Sequence, residues 1–258
     1  IFGYKIQNYL HSIVHNMDNG NPLLYIKHEQ NVLLDAQNIG QLILVKCENP
    51  DITNVSISHT VVHLGTAYCN GTTLSKCEIS QNDYGIRYYS CHHNTIKTCD
   101  ISNNTYGFRL EYSSHTYVNN SHFSNNSPGL FILRSNTTTI KNTKLLKHST
   151  AISVLDSSNT VLRYNNFKEN NKAIGVMMPS LNIVNASYNY WGDPSGPYHS
   201  DLNPEGAGDN VSDNVAFNPW LTASVKGTKQ QNIVQGEQEV DATEEADTSA
   251  TVNATQNN

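Results

Sequence analysis

Hydrophobic positions recur in this chain at one long, fixed period. Written in lines of 22 residues, the sequence aligns without gaps over seven lines starting at Gln41, His63, Gly85, Gly107, Gly129, Ala151 and Ala173. The second column reads Leu42, Leu64, Ile86, Phe108, Leu130, Ile152, Ile174. The twelfth reads Ile52, Leu74, Ile96, Val118, Ile140, Leu162, Val184. The seventeenth reads Ile57, Ile79, Ile101, Phe123, Leu145, Phe167 and then breaks at Asn189, while the twentieth holds Asn82, Asn104, Asn126 and Asn170. Helical amphipathicity would repeat about every 3.6 residues, so it cannot produce this spacing. Asn, Ser, Thr and Gly fill the intervals, and these are turn residues. The pattern predicts an all-β fold, a right-handed parallel β-helix of about seven 22-residue coils with a C-terminal cap. Strands of neighbouring coils then pair at roughly 4.8 Å, giving a rod on the order of 34 Å long. One coil buries little alone, so stacking supplies the core. A leucine-rich repeat has a similar period, but its L-x-x-L-x-L-x-x-N pattern is absent.

Four segments follow. Residues 1–40 carry short apolar runs, such as Leu23-Leu24-Tyr25-Ile26, outside the frame. They read as irregular first coils that cover an end otherwise open to edge pairing. Residues 41–194 hold the repeats and residues 195–224 a capping segment. Residues 225–258 are polar, acidic and nearly without aromatics, and are expected to be a disordered linker.

The cysteines keep the frame. Cys47, Cys69 and Cys91 share column seven, and Cys77 and Cys99 share column fifteen. Ser113, Ser135 and Ser157 continue the first column, and Ser121 and Thr143 the second. Stacked small side chains at inner corners explain this. Buried thiol ladders and disulfides between adjacent rungs, such as Cys77–Cys99, both remain open, although five cysteines leave at least one free.

Composition narrows the function classes. The chain has 258 residues and a formal charge of −6. Residues 226–258 carry −4 of this, so the body is nearly neutral and has no electrostatic footprint for nucleic acid. No run of apolar residues is long enough for a transmembrane helix. The chain begins at Ile1, as expected of a processed or excised fragment lacking its signal and anchor segments. Asparagine occurs 35 times, and N-x-[ST] triplets fall at Asn54, Asn70, Asn103, Asn119, Asn125, Asn136, Asn185, Asn210 and Asn253. Chance in an Asn-rich chain and true glycosylation both account for them.

Candidate chemistry lies on outward columns. In the first strand of each coil, columns three and five should point out. They hold Arg87, Tyr89, Arg109, Glu111, Phe131, Leu133, Leu155 and Met177. Rings can stack on sugars, and arginines can grip carboxylates. Arg87, Tyr89, Arg109, Glu111 and Phe131 are therefore the candidate carbohydrate-binding set, and Arg87, Arg109 and Glu111 the candidate catalytic residues. A glycosidase needs two facing carboxyls, and here only Glu111 is available. Column sixteen places Glu78, Asp100 and His122 on neighbouring rungs, a weak candidate for metal, Ca²⁺ in particular. His92, His93 and His115 cluster near one turn and form a further weak metal candidate. No phosphate loop, nucleophile motif or HExxH sequence is present.

The run Asn189-Tyr190-Trp191-Gly192-Asp193-Pro194-Ser195-Gly196-Pro197, followed by a loop and Asn218-Pro219-Trp220-Leu221, resembles the closing element of the NosD-like periplasmic copper-binding β-helix family. Gly20 to Tyr25 and Gly40 to Cys47 resemble its entry segment, so the resemblance spans about residues 15–221. It is shared by secreted and surface β-helix proteins of methanogenic archaea. It implies the fold, an extracellular or cell-surface location, and Trp191 and Trp220 as plugs of the C-terminal end. The family name suggests copper, but no copper-type His/Met/Cys constellation is found to carry over. The resulting expectation is a surface glycoprotein module of the S-layer or adhesin kind, without a required cofactor. Its partners would be polysaccharide or envelope proteins, with self-association open. The alternatives are a lyase, hydrolase or epimerase acting on an acidic glycan, and copper handling.

Overall fold

The computed structural model describes residues 5, 7, 16–18, 20–35, 39–59, 62–177 and 183–226. The expected acidic tail beyond Lys226 lies outside them. Three stacks of short strands form a three-sided parallel β-helix, with no α-helix among the described residues. The first sheet has nine strands, running from Met17–Asp18 and Asn21–Lys27 through Tyr84–Tyr89 and Tyr106–Glu111 to Ile174–Met177. The second also has nine strands and the third six.

The register is the 22-residue frame itself. Leu42 pairs with Leu64, Leu64 with Ile86, Ile86 with Phe108 and Phe108 with Leu130, all parallel. The apolar columns are the core: Leu42, Ile86, Ile96, Ile101, Val118 and Phe123 are fully buried.

Each coil turns at residues held in the left-handed region, such as Lys46, Tyr68, Ser90 and Tyr112 at one corner and Gln81, Asn103 and Asn125 at another. Such a turn takes the next backbone N–H out of the strand ladder, and a buried N–H needs a partner. Inward side chains supply it. The Cys91 N–H donates to Ser113 Oγ at 3.0 Å, and Ser113 and Ser135 repeat the contact one coil on. Asn104 N–H donates to Asn126 Oδ1 at 2.8 Å, and Thr143 N–H to Asn165 Oδ1 at 2.9 Å. The carboxamides also donate inward, Asn126 Nδ2 to Ile101 O and Asn165 Nδ2 to Ile140 O. Glycine is required beside this ladder: a Cβ on Gly129 would lie 2.6 Å from Ala151 O and 3.0 Å from His148 Nε2.

All five cysteines are buried free thiols. In column seven they serve as serine does: the Cys47 N–H points at Cys69 Sγ at 3.4 Å. Hydrogen bonding from Cys69 lowers the Cys47 thiol to about 7, and the same contact pushes Cys69 up.

The ends refine the sequence reading. Asn21–Lys27 already pairs in register with Gln41–Val45 through Leu23↔Gln41, so a shortened coil of 18 residues precedes the repeats. At the other end the last coil gains two residues. Asn189 accepts the N–H of Asn165 and so continues column fifteen, not column seventeen as the frame alone suggests. Trp191 then takes the column-seventeen place, fully buried and stacked on Phe167 at 4.7 Å. Trp220 packs partly buried against the same core and donates to Pro194 O. Val215–Ala216 closes the second sheet against Val184–Asn185.

Candidate functional site

The outer face of the first sheet places Arg87, Arg109 and Phe131 in one column, in register on successive coils. Glu111 pairs in register with Tyr89, two places further along the same strands. Glu111 projects outward, since its neighbour Leu110 enters the core, yet it is only 1% exposed. Arg87 Nε and Nη2 lie 2.8 and 2.7 Å from Glu111 Oε2. Arg109 Nη2 lies 2.9 Å from Oε1. Both carboxylate oxygens are thus taken by guanidinium groups. Burial works most strongly against the charge on Arg109, but the hydrogen bond and charge of Glu111, with Tyr84 and Tyr106, together outweigh it and raise the pKa.

Aromatic rings frame this bridge. The Arg109 guanidinium sits 5.3 Å from the centroids of Tyr106 and Phe131, and 5.8 Å from that of Tyr84. Tyr84 and Tyr106 stack on each other at 5.1 Å. These two tyrosines were missed in the sequence; their signal is column twenty-two, where both fall.

The expectation of an open face needs correction. Tyr89 is 5% exposed, wedged edge-on between Tyr68 and Tyr112, and Ile43, Val45 and Ala67 beside it are buried. Period-two alternation gives the direction of a side chain, not what covers it. Arg87, Arg109 and Phe131 are half-buried, and Met177 is exposed.

The column-sixteen candidates also lie in register, Glu78 beside Asp100 and Asp100 beside His122. His122 Nδ1 is 3.2 Å from Asp100 Oδ2; Asp100 is exposed and His122 half-buried. The exposed His93 and His115 stack at 4.9 Å; His93 Nδ1 bonds Asn70, and His92 and His115 bond Ser114. Among the described residues no three His, Cys, Asp or Glu side chains converge to hold a metal ion. The thiols form lines along the axis, not a shared centre, so the donor set of these residues does not fit a resident copper ion. No described helix is long and apolar enough to cross a membrane.

An open groove of about 930 Å³ lies at the N-terminal part of the corner between the third and first sheets. Gln41, His59, Gln81, Asp83, Asn103 and Thr105 are among its walls.

No curated protein matches the chain significantly. Among solved structures it is similar to QnrB1, a plasmid-mediated fluoroquinolone resistance protein, at 9% identity, covering 72% of this chain and 92% of that chain, with a TM-score of 0.21. That likeness is too distant to carry any argument about function. The family described as periplasmic copper-binding protein (NosD) matches residues 24–189, well over half the chain and nearly all of its coils. With the parallel coils, the inward ladders and the tryptophan-closed end in place, the chain belongs to the NosD family of right-handed β-helix proteins.

Proposed function

We propose that this chain is a non-catalytic, extracytoplasmic β-helix module that binds acidic carbohydrate, in envelope structure or adhesion, beside the Arg87–Glu111–Arg109 bridge. The periplasmic description of its family supports a location outside the cytoplasm. The observation that carries the reading is the state of Glu111: buried, with both oxygens held by arginines. A carboxylate so engaged is no free acid, base or calcium ligand, which weighs against a lyase or hydrolase at this face. The bridge sets two guanidinium groups against one carboxylate, which leaves one positive charge in excess. Three rings beside it offer stacking surface. A uronic-acid carboxylate would meet the first feature and its sugar ring the second.

A glycan array tests this with the full chain and an Arg87→Ala/Arg109→Ala double variant. Binding to carboxylated glycans that the variant loses supports the reading. Binding to none, or equal binding by both proteins, removes it.

A further inference from the structure

Of the nine N-x-[ST] triplets, eight fall on described residues, and the structure sorts them. An oligosaccharide transferase needs the asparagine Nδ2 and the hydroxyl two residues on, and a folded chain must leave room for the product. Asn54 donates to Asp35, and Asn70 to Glu48. The hydroxyl residues Ser121 and Thr138, two places after Asn119 and Asn136, are buried. Ser127, two places after Asn125, pairs with Ser149. Ser187 bonds Asn185 itself, and Ser212, after Asn210, is engaged by Val176 N–H and Asp213 O. In Asn103-Asn104-Thr105 both ends are exposed, and neither side chain is hydrogen-bonded among the described residues.

The corner explains this. Asn103 has φ 56°, and that left-handed turn sends its carboxamide out while Asn104 turns in, its Nδ2 donating to Ile79 O at 3.1 Å. Asn103 and Thr105 also line the open groove of about 930 Å³. That volume suits a small sugar segment, since ligand sites span about 300–1,000 Å³. Gln41, His59, Gln81 and Asp83 offer its hydroxyls both donors and acceptors, and Leu23 offers an apolar wall.

We propose that Asn103 is N-glycosylated and that the first sugars of the glycan lie in this groove. The donor is an oligosaccharide carried on a polyprenyl phosphate or pyrophosphate. Asn103 Nδ2 attacks its anomeric carbon; the C–N bond forms as the C–O bond to phosphate breaks. The carrier phosphate leaves with the electron pair, and the Nδ2 proton passes to a base of the transferase. The inference stands on the sequon, the groove and the extracytoplasmic family, independently of the arginine face.

The test is secretion of the full chain from a eukaryotic host whose transferase reads N-x-[ST], with glycopeptide mapping by mass spectrometry. Asn103→Gln and Thr105→Ala chains, checked for β-structure by circular dichroism, run alongside. The expected result is an oligosaccharide mass on the Asn103 peptide, lost in both variants although Thr105→Ala keeps the asparagine. Amide exchange across residues 81–85 should be slower in the glycosylated chain than in Thr105→Ala. An unmodified Asn103 peptide overturns the site, and equal exchange overturns the seating of the glycan in the groove.

Discussion

The Nδ1 atom of His148 takes the backbone N–H of Asn126 at 3.0 Å, in the position that a carboxamide oxygen fills on the coil before it. Its Nε2 lies 3.2 Å from Phe123 O, as Asn126 Nδ2 lies 2.9 Å from Ile101 O. The imidazole thus imitates asparagine, and the neutral Nε2–H tautomer meets both contacts. A second ring proton, on Nδ1, would lose the Asn126 N–H as a donor to that atom and would have the Asn126 carbonyl, 3.0 Å away, as its acceptor.

Burial lowers the His148 pKa to about 4, only partly offset by the backbone contacts to Asn126 and Phe123. An unfolded imidazole titrates near 6.5. Between these values the unfolded chain binds the proton and the folded chain does not, so stability falls as pH drops through that window. The full loss, reached below about pH 4, is about 3 kcal/mol. Asp209, which burial raises, contributes with the opposite sign, so a variant is needed to isolate the histidine. His148→Asn should fold as well as the parent at pH 7.5 and lose less of its Tm at pH 4.5. An identical Tm drop in both chains would remove His148 as the cause.

Asn126→Ala should be among the costliest single changes in the solenoid. It strands the Asn104 N–H in the interior, takes from the Ile101 carbonyl the Asn126 Nδ2–H, and leaves Asn104 Nδ2 with Ile79 O alone. Orphaned buried groups cost roughly 1–3 kcal/mol each, which for these two backbone groups gives a loss of about 2–6 kcal/mol. Urea unfolding followed by circular dichroism measures it; a change below about 0.5 kcal/mol, the size of an ordinary surface substitution, would show the ladder to be dispensable.

The five thiols give a separate check on the ladder. Thiol reactivity needs access as well as thiolate. Cys47, lowered to about 7 by the Cys69 hydrogen bond, is buried like the others. A disulfide-exchange reagent should therefore find no fast thiol in the native chain and five in denaturant. Three in denaturant would mean that two neighbouring rungs are cross-linked.

Much of this architecture can be read from the period alone. Leu42, Ile52 and Ile57 with their repeats name the three sheets, because a strict spacing fixes register. What the corners need is less legible. Cys69, Ser113 and Asn126 look unrelated as residue types, yet each side chain accepts a corner N–H, a role visible only once the left-handed turns are placed. His148 stands in the asparagine column by spacing but not by chemistry, so the sequence reading passed over it. The candidate site divides in the same way. Arg87, Arg109 and Glu111 come together because alternation and register put them there. The burial of Glu111 and Tyr89 depends on neighbours such as Tyr68, Tyr112 and the arginines themselves, which are distant in sequence or too flexible to place by pattern.

The carbohydrate reading turns on Arg109, which touches both the Glu111 carboxylate and the three rings. Titration calorimetry with a carboxylated oligosaccharide, comparing the full chain with Arg109→Ala, tests it most directly. Loss of a charge-assisted contact worth about 1.5–3 kcal/mol predicts affinity at least ten-fold weaker in the variant. Equal affinity in the two chains, or no heat of binding in either, would contradict a carbohydrate site on this face.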